Sequence, residues 1–345
     1  MHIPDGYLGP QTTIPGFAVM APMWAVAGHK VKASLQGKNI PTLALCSAFS
    51  FLTMMFNVPV AGGSSAHAVG AVLIAILLGP WAATVCVSTA LLIQALVFGD
   101  GGVLAYGINC LNMAVIMPFT GYAVYRLVAG KSQAGTSRNT VAAFLGSYIG
   151  LNVAALCASV EFGIQPLLFR DAAGHPLYCP YPLSVSIPSM LFAHSVVAGP
   201  IEGVLTAAAV AYIAKAAPQF FARGMLSAHE ESVPFFKKYR SLLIPIAVLV
   251  VLTPLGLIAS GTAWGEWGTE EIKQTLGYVP QGLAAMSDRW NALMPDYSLP
   301  AFGDGRLGAV AGYLLSALAG ILLISALIFL MSRLVAGSGK NEGRK

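Results

Sequence analysis

Charge is scarce in this sequence. Only 10% of its 345 residues are Asp, Glu, Lys or Arg, and no Lys or Arg interrupts residues 39–125. Soluble domains carry about 25% charged residues, so a fold surrounded by water is excluded. Cysteine is sparse too: there are five, with no C-x-x-C pair, which argues against a zinc ribbon or a dithiol redox motif. Cys46, Cys86, Cys110 and Cys157 fall in apolar runs where they pack as small hydrophobes, and only Cys179 lies in a polar stretch. No disulfide framework is expected. There is no G-x-x-x-x-G-K-[ST] loop, so the chain does not itself hydrolyse ATP, and no H-E-x-x-H helix that would mark a zinc hydrolase. The opening has no basic stretch leading into a short apolar run and a cleavage site, so a removable signal peptide is not expected. Internal repeats and low-complexity tracts are also missing.

What fills the chain instead is hydrocarbon. Hydrophobic residues make up 56% of it, with a mean hydropathy of +0.72, and this places it in the bilayer as a polytopic all-α membrane protein. A spanning helix needs about twenty mostly apolar residues. Such runs lie near 12–28, 40–57, 66–79, 81–98, 103–125, 140–160, 186–214, 241–260 and 307–332, the third being the shortest. The net charge of +5 does not indicate nucleic acid, because the basic residues sit in loops between spans. Lys30, Lys32 and Lys38 form one cluster, Arg126, Lys131 and Arg138 a second. Lys215, Arg223, Lys237, Lys238 and Arg240 form a third, and Arg333, Lys340, Arg344 and Lys345 a fourth.

Short basic loops stay on the cytoplasmic side. Keeping all four clusters inside requires an even number of crossings between neighbours, with Gly79-Pro80 as a tight inner turn. The expectation is a seven-helix core followed by two C-terminal spans, N-terminus outside and C-terminus cytoplasmic. The outer side then holds ten of the 14 acids, among them Asp5, Asp100, Glu161, Glu266, Asp288, Asp296 and Asp304. Retention of basic residues inside explains most of that asymmetry; cation steering adds a little. The expected division is a transmembrane core over 1–215, a cytoplasmic linker over 216–240 and a two-span segment over 241–345 with a long outer loop, 261–306.

The first six residues, Met1-His2-Ile3-Pro4-Asp5-Gly6, offer something no interior segment can. A free α-amine followed directly by histidine presents three nitrogens to one metal ion: the Met1 amine, the deprotonated His2 amide and the His2 imidazole. The deprotonated amide holds them close to one plane, a geometry suited to Ni²⁺ or Cu²⁺ with Co²⁺ close behind. Aminopeptidases trim Met only before a small residue, so His2 is expected to keep Met1 in place. One ligand is missing, and His67, in Gly62-Gly63-Ser64-Ser65-Ala66-His67, is the candidate, because the topology puts it on the same side. The plainer reading of that loop is an N-capped turn with Ser64-Ser65 as the cap.

Other polar features compete. His194 and Glu202 lie eight residues apart on one helix face, fit for a proton or metal relay; a helix–helix hydrogen bond is favoured, because Gly199 and Gly203 mark tight packing. His175 and Cys179 have metal-ligand spacing without further ligands. His29 and His229 flank inner basic clusters. Asn109 and Asn112 are placed either to hydrogen-bond the chelate or to satisfy one another. Ala21 and Ala25 form a small-x-x-x-small face, for a neighbouring membrane protein or for internal packing.

The opening Met1-His2-Ile3-Pro4-Asp5-Gly6-Tyr7-Leu8, the Gly63-Ser64-Ser65-x-His67 loop and Gly107-x-Asn109-x-x-Asn112-Met113-Ala114 together resemble the CbiM/NikM family over roughly residues 1–215. These are the substrate-binding membrane components of energy-coupling-factor transporters for cobalt and nickel. The resemblance implies high-affinity capture of Ni²⁺ or Co²⁺ as transported substrate, with Met1 supplying its amine, His2 its amide and imidazole, and His67 the fourth nitrogen. It implies a coupling membrane protein and cytoplasmic ATPase subunits as partners, and the cytoplasmic membrane of a bacterium or archaeon as location. The Ile3-Pro4-Asp5 opening leans to nickel. The last hundred residues look like the small accessory subunit of these systems fused to the core, departing from it at Pro295-Asp296-Tyr297, where Pro-Asp-Gly is expected. Two rivals remain: an intramembrane metalloenzyme built on His67, His194 and Glu202, disfavoured by the missing helical ligand pair, and a metal sensor that does not transport.

Overall fold

The computed structural model describes residues 1–35, 40–61, 63–221, 234–259, 261–287, 289–303 and 305–342. Lys38, Gly62, Arg223, His229, Asp288, Asp304, Arg344, Lys345 and residues 222–233 of the expected linker lie outside the described residues.

The first nine residues form a buried, turn-rich segment that ends where Pro10 starts α1 (Pro10–Leu35). Proline suits that first helical position, because its missing N–H has no intrahelical partner to lose. After α2 (Ile40–Met54) the chain makes a small antiparallel hairpin, β1 (Val58–Val60) and β2 (Ser64–Ala66), in which Val58 pairs with Ala66 and Val60 with Ser64. Then follow α3 (Ala71–Leu78), α4 (Pro80–Phe98), α5 (Tyr106–Ala129), α6 (Ser137–Leu168), α7 (Leu183–Ala216) and α8 (Phe235–Ile258). Two short helices, α9 (Thr269–Leu276) and α10 (Gln281–Ser287), lie in the segment between α8 and α11 (Arg306–Glu342).

Among the described residues, six helices are long and apolar enough to cross a membrane: α4, α5, α6, α7, α8 and residues Arg306–Arg333 of α11. The protein is therefore an all-α polytopic membrane protein. Helix α1 has the length, but Gln11, Thr12, Thr13, His29, Lys30 and Lys32 dilute its apolar character. The run expected as a third span, 66–79, differs most from expectation. Only Ala71–Leu78 is helical, eight residues or about 12 Å at the α-helical rise, against an apolar core of about 30 Å. The cause is local: Gly70 adopts a left-handed conformation, φ +75°, just before the helix, and the preceding residues pair as strands. Ser64 and Ser65 therefore sit in a hairpin and do not cap α3.

Three helices contain a π-turn: residues 94–98 in α4, 111–116 in α5 and 193–198 in α7. A π-turn inserts one extra residue and re-aims the side chains around it. Gln94, Asn112 and His194 all sit in these turns, buried.

Lipid supplies no hydrophobic drive between helices, so close backbone approach has to do the holding. Helices α5 and α6 meet at Gly121, Gly146 and Gly150: a Cβ on Gly146 would stand 2.6 Å from the Gly121 carbonyl oxygen, and one on Gly150 2.7 Å from that of Met117. The C-terminal segment docks the same way, Gly320 of α11 against the Phe51 ring and Gly256 against the Met55 carbonyl. Gly146→Val is expected to force α5 and α6 apart and to cost about 1–3 kcal/mol of stability. Thermal unfolding in detergent checks this, and an unchanged melting temperature would show that the crossing is not tight.

Candidate metal centre

The opening segment is held by main-chain bonds along its length. Asn109 Oδ1 accepts from the Ile3 amide at 2.9 Å while Asn109 Nδ2 donates to the Ile3 carbonyl at 3.0 Å, a side chain imitating a β-strand partner. The Ile3 carbonyl also takes the Gly102 N–H at 2.9 Å. The Asp5 carboxylate accepts from the amides of Val103, Leu104 and Ala105 at 2.8 to 3.2 Å, closing the loop ahead of α5. Burial pushes the Asp5 carboxyl up from its usual range against the pull of those three amides. Gly6 follows at φ +89°, pressed so closely on the Leu283 carbonyl that a Cβ would lie 2.8 Å away. Tyr7 donates its hydroxyl to the Trp267 carbonyl at 2.8 Å.

This anchoring carries Met1 and His2 into the interior, 2% and 1% exposed, beside His67 at 3%. His67 Nε2 lies 3.1 Å from His2 Nδ1. His67 Nδ1 faces the Ala68 carbonyl at 3.1 Å; a carbonyl only accepts, so Nδ1 carries the hydrogen and Nε2 presents a lone pair to His2. His67 is in the loop after β2, outside the spanning helices. Burial first, then the positive Met1 amine and His2, hold its imidazole well below the usual value, so it stays neutral and able to ligate. His2 Nδ1 also lies 3.0 Å from Asp100 Oδ1. It has one hydrogen at most for these two neighbours. His2 Nε2 is buried without a hydrogen-bond partner.

Two carboxylates meet the donor nitrogens, and sequence reasoning did not single them out as site residues. Glu266 Oε1 pairs with the Met1 amine at 3.0 Å, and ligand atoms of His2, His67 and Glu266 all lie within 4.8 Å of one another. Asp100 is held by Gln94 Nε2 at 3.0 Å and by the Tyr297 hydroxyl. Burial alone would raise the Asp100 carboxyl, but the charge and hydrogen bond of His2, with help from Tyr297, keep it well below the usual carboxylate range. The available signals were an acid framed by glycines, Gly99-Asp100-Gly101-Gly102, and one framed by tryptophans, Trp264-Gly265-Glu266-Trp267.

The other candidates separate. Glu202 forms no relay with His194, and the helix–helix bond it makes is through its main-chain carbonyl, which accepts the Ser147 hydroxyl at 3.4 Å. Its carboxylate accepts from the Val69 amide at 2.7 Å and from the Gly70 amide at 3.0 and 3.1 Å, clamping the main chain two residues beyond His67. His194 Nδ1 bonds the Met190 carbonyl at 2.7 Å. Asn109 bonds the opening segment, but Asn112 turns to Glu161 Oε2 at 2.7 Å, so the two neither share one task nor satisfy each other. His175 is exposed beside Asp171 at 3.5 Å, while Cys179 is buried. All five cysteines are free. His29, Ala21 and Ala25 are exposed, so the small-residue face of α1 has no internal partner among the described residues.

Residues 2–220 match the family model described as the cobalt uptake substrate-specific transmembrane region, and residues 238–337 match the PDGLE domain. The chain is 47% identical to the fused nickel transport protein NikMN of Rhodobacter capsulatus, covering 97% of this chain and 98% of that one. It is 43% identical to the probable fused nickel transport protein LarMN of Lactiplantibacillus plantarum, covering 95% and 96%. A crystal structure of a transition metal transporter aligns with a TM-score of 0.59 at 51% identity, over 62% of this chain and 93% of that chain.

Removing the Glu202 carboxylate leaves two buried amides without an acceptor. Glu202→Ala is expected to lose roughly 2 kcal/mol or more and to speed hydrogen exchange across residues 58–70. Unaltered exchange there would show that the clamp is not what holds the hairpin.

Proposed function

The chain belongs to the cobalt uptake substrate-specific transmembrane family with a PDGLE-type segment fused behind it, and on that premise we propose that it captures Ni²⁺ or Co²⁺ for import in a planar set of four nitrogens. The donors are the Met1 amine, the His2 amide and Nδ1, and His67 Nε2. The observation that carries this is the burial of Met1, His2 and His67 in one place, with the two imidazole nitrogens 3.1 Å apart. No covalent chemistry beyond the release of protons is needed. The protein's task is to hold four donors at fixed spacing and to keep water off them.

Geometry then dictates the order of events. In the empty site Glu266 pairs with the Met1 ammonium and Asp100 with His2 Nδ1. A bound cation displaces a proton from the amine and one from the His2 amide, and both carboxylates yield their nitrogens to it. The protons leave to water. Asp100 stays tied to Gln94 and Tyr297 and remains available to balance the cation's charge, a supporting role that outer residues commonly play around metals. Nickel is favoured over cobalt, because relatives that match the chain over almost its whole length are named as nickel transport proteins.

The sequence carries no nucleotide loop, so energy comes from partners: two cytoplasmic ATPase subunits and a coupling membrane protein, for which the exposed Ala21 and Ala25 on α1 supply a close-packing face. The site is the work of the core, 1–215; the division into core, linker over 216–240 and accessory segment over 241–345 follows the same reading. We place the protein in the cytoplasmic membrane, with its metal-binding end outward.

Two measurements test the ligand set. One residue added ahead of Met1 turns the amine into an amide and is expected to abolish high-affinity binding; wild-type affinity in that variant would remove the amine from the ligand set. Because the His2 amide must always release its proton, Kd is expected to rise by at least roughly tenfold for each pH unit lost between about pH 8 and about pH 6. A flat profile would mean that the amide is not a ligand.

A further inference from the structure

The C-terminal segment does more than lean on the core. A polar cavity of ≈ 330 Å³ lies between them, lined from the core by Pro4 and Asp100 and from the C-terminal segment by Thr262, Glu266, Asp296 and Tyr297. Its acids differ in depth. Asp296 is exposed, while Glu266 and Asp100 have side chains only 17% and 18% exposed. The two inner carboxylates end on nitrogens of the four-donor set, Glu266 on the Met1 amine and Asp100 on His2 Nδ1. The cavity thus runs from an exposed acid to atoms that sit against the donors.

The backbone is strained to make this arrangement. Asp296 and Tyr297 adopt φ of +51° and +58°, the positive-φ residues other than glycine among those described. Positive φ is uncommon for such residues and persists only where the surroundings demand it. The conformation sends Tyr297 inward, 4% exposed, to bond Asp100 and Gln94 and to stack on Phe98 with ring centroids 4.9 Å apart. It leaves Asp296 outward at the rim. Tyr297 also accepts Ser316 Oγ on its carbonyl, which fixes the rim to α11.

We propose that this cavity is an oxygen-lined loading site for the divalent cation, in which Glu266 binds the ion from water before the nitrogens close around it. Resting on the four-nitrogen reading, it assigns the C-terminal segment a direct part in filling that site. Carboxylate oxygen exchanges ligands easily and pairs with a hydrated cation, whereas an ammonium and a deprotonatable amide do neither until a cation is already close. Glu266 can serve both stages because its oxygen lies within 4.8 Å of ligand atoms of His2 and His67. A group that lowers the barrier to filling also lowers the barrier to emptying, so its part in loading is read in the rates, apart from any shift in Kd that the loss of its ion pair with Met1 brings.

The test uses the full chain in detergent and Co²⁺ alone as probe, following its absorption by stopped flow. Glu266→Ala and Glu266→Gln are expected to slow kon by about tenfold or more, a factor within the range of electrostatic steering, without speeding koff. Glu266→Asp, which keeps the oxygen pair, is expected to recover most of the rate. A kon within threefold of wild type, or affinity lost through faster release, overturns the proposal. Asp296→Asn covers a failure of the Glu266 variants to fold, since it is exposed and asparagine tolerates positive φ. It is expected to lower kon and flatten its salt dependence; an unchanged kon at low salt overturns the proposal as well. The chain extended ahead of Met1 separates the two readings: if it binds Co²⁺ as tightly as wild type, the nitrogen set fails, whatever the Glu266 rates show.

Discussion

A positively charged amine and two imidazoles lie out of water here, and each has to be met by a protein atom. Burying such groups without partners is costly enough to prevent folding, and this requirement organises the whole end of the molecule that holds Met1, His2 and His67. Met1 is met by Glu266, His2 by Asp100 and His67, and His67 by the Ala68 carbonyl. Behind them stands a further layer. Asn109 holds the Ile3 main chain, Asp5 holds three amides, and Glu202 holds the amides of Val69 and Gly70. The apolar helices supply the frame, but the position of each nitrogen is set by a carboxylate or carboxamide.

The same requirement ties the fused segment to the core. Glu266 and Tyr297 come from one side of the junction, and Met1, Gln94 and Asp100 from the other. Aromatic packing covers the polar contacts: Tyr297 lies against Phe51, Phe98 and Tyr313, and Trp264 against Phe162 and Tyr181. Tryptophans and tyrosines beside a span ordinarily anchor at the lipid–water interface. Trp264, Trp267 and Tyr297 of this loop pack instead against rings of the core and cover the polar contacts beneath.

Much of this arrangement was legible in the sequence, and the legible parts share a cause. Hydropathy finds long helices because bilayer thickness demands them, so α4 to α8 and α11 lie where apolar runs suggested. That Met1, His2 and His67 share one place was readable because the proposed chelate needs a chain start and lacks one donor, for which a histidine in a glycine-rich loop was the candidate. The hairpin before α3 was not readable, since Val58-Pro59-Val60 and Ser64-Ser65-Ala66 look as much like helix flanks as strands. Glu202 was noticed for the wrong contact: its partners are backbone amides 132 and 133 residues away, and sequence spacing says nothing about them. Glu266 escaped for the same reason, 265 residues from the amine it meets. Pairing across such distances is decided by tertiary structure, and one sequence on its own holds no trace of it.

That separation has a consequence for how the molecule is made. The opening segment finds contacts, Met1 on Glu266, Gly6 on Leu283 and Tyr7 on Trp267, in polypeptide synthesised at least 260 residues later. Until then the opening segment has a core to lie in but no cover over it. Biogenesis therefore has a late checkpoint, and a nascent chain stalled before residue 261 resembles a jar without its stopper, open to water and to whatever ion drifts in.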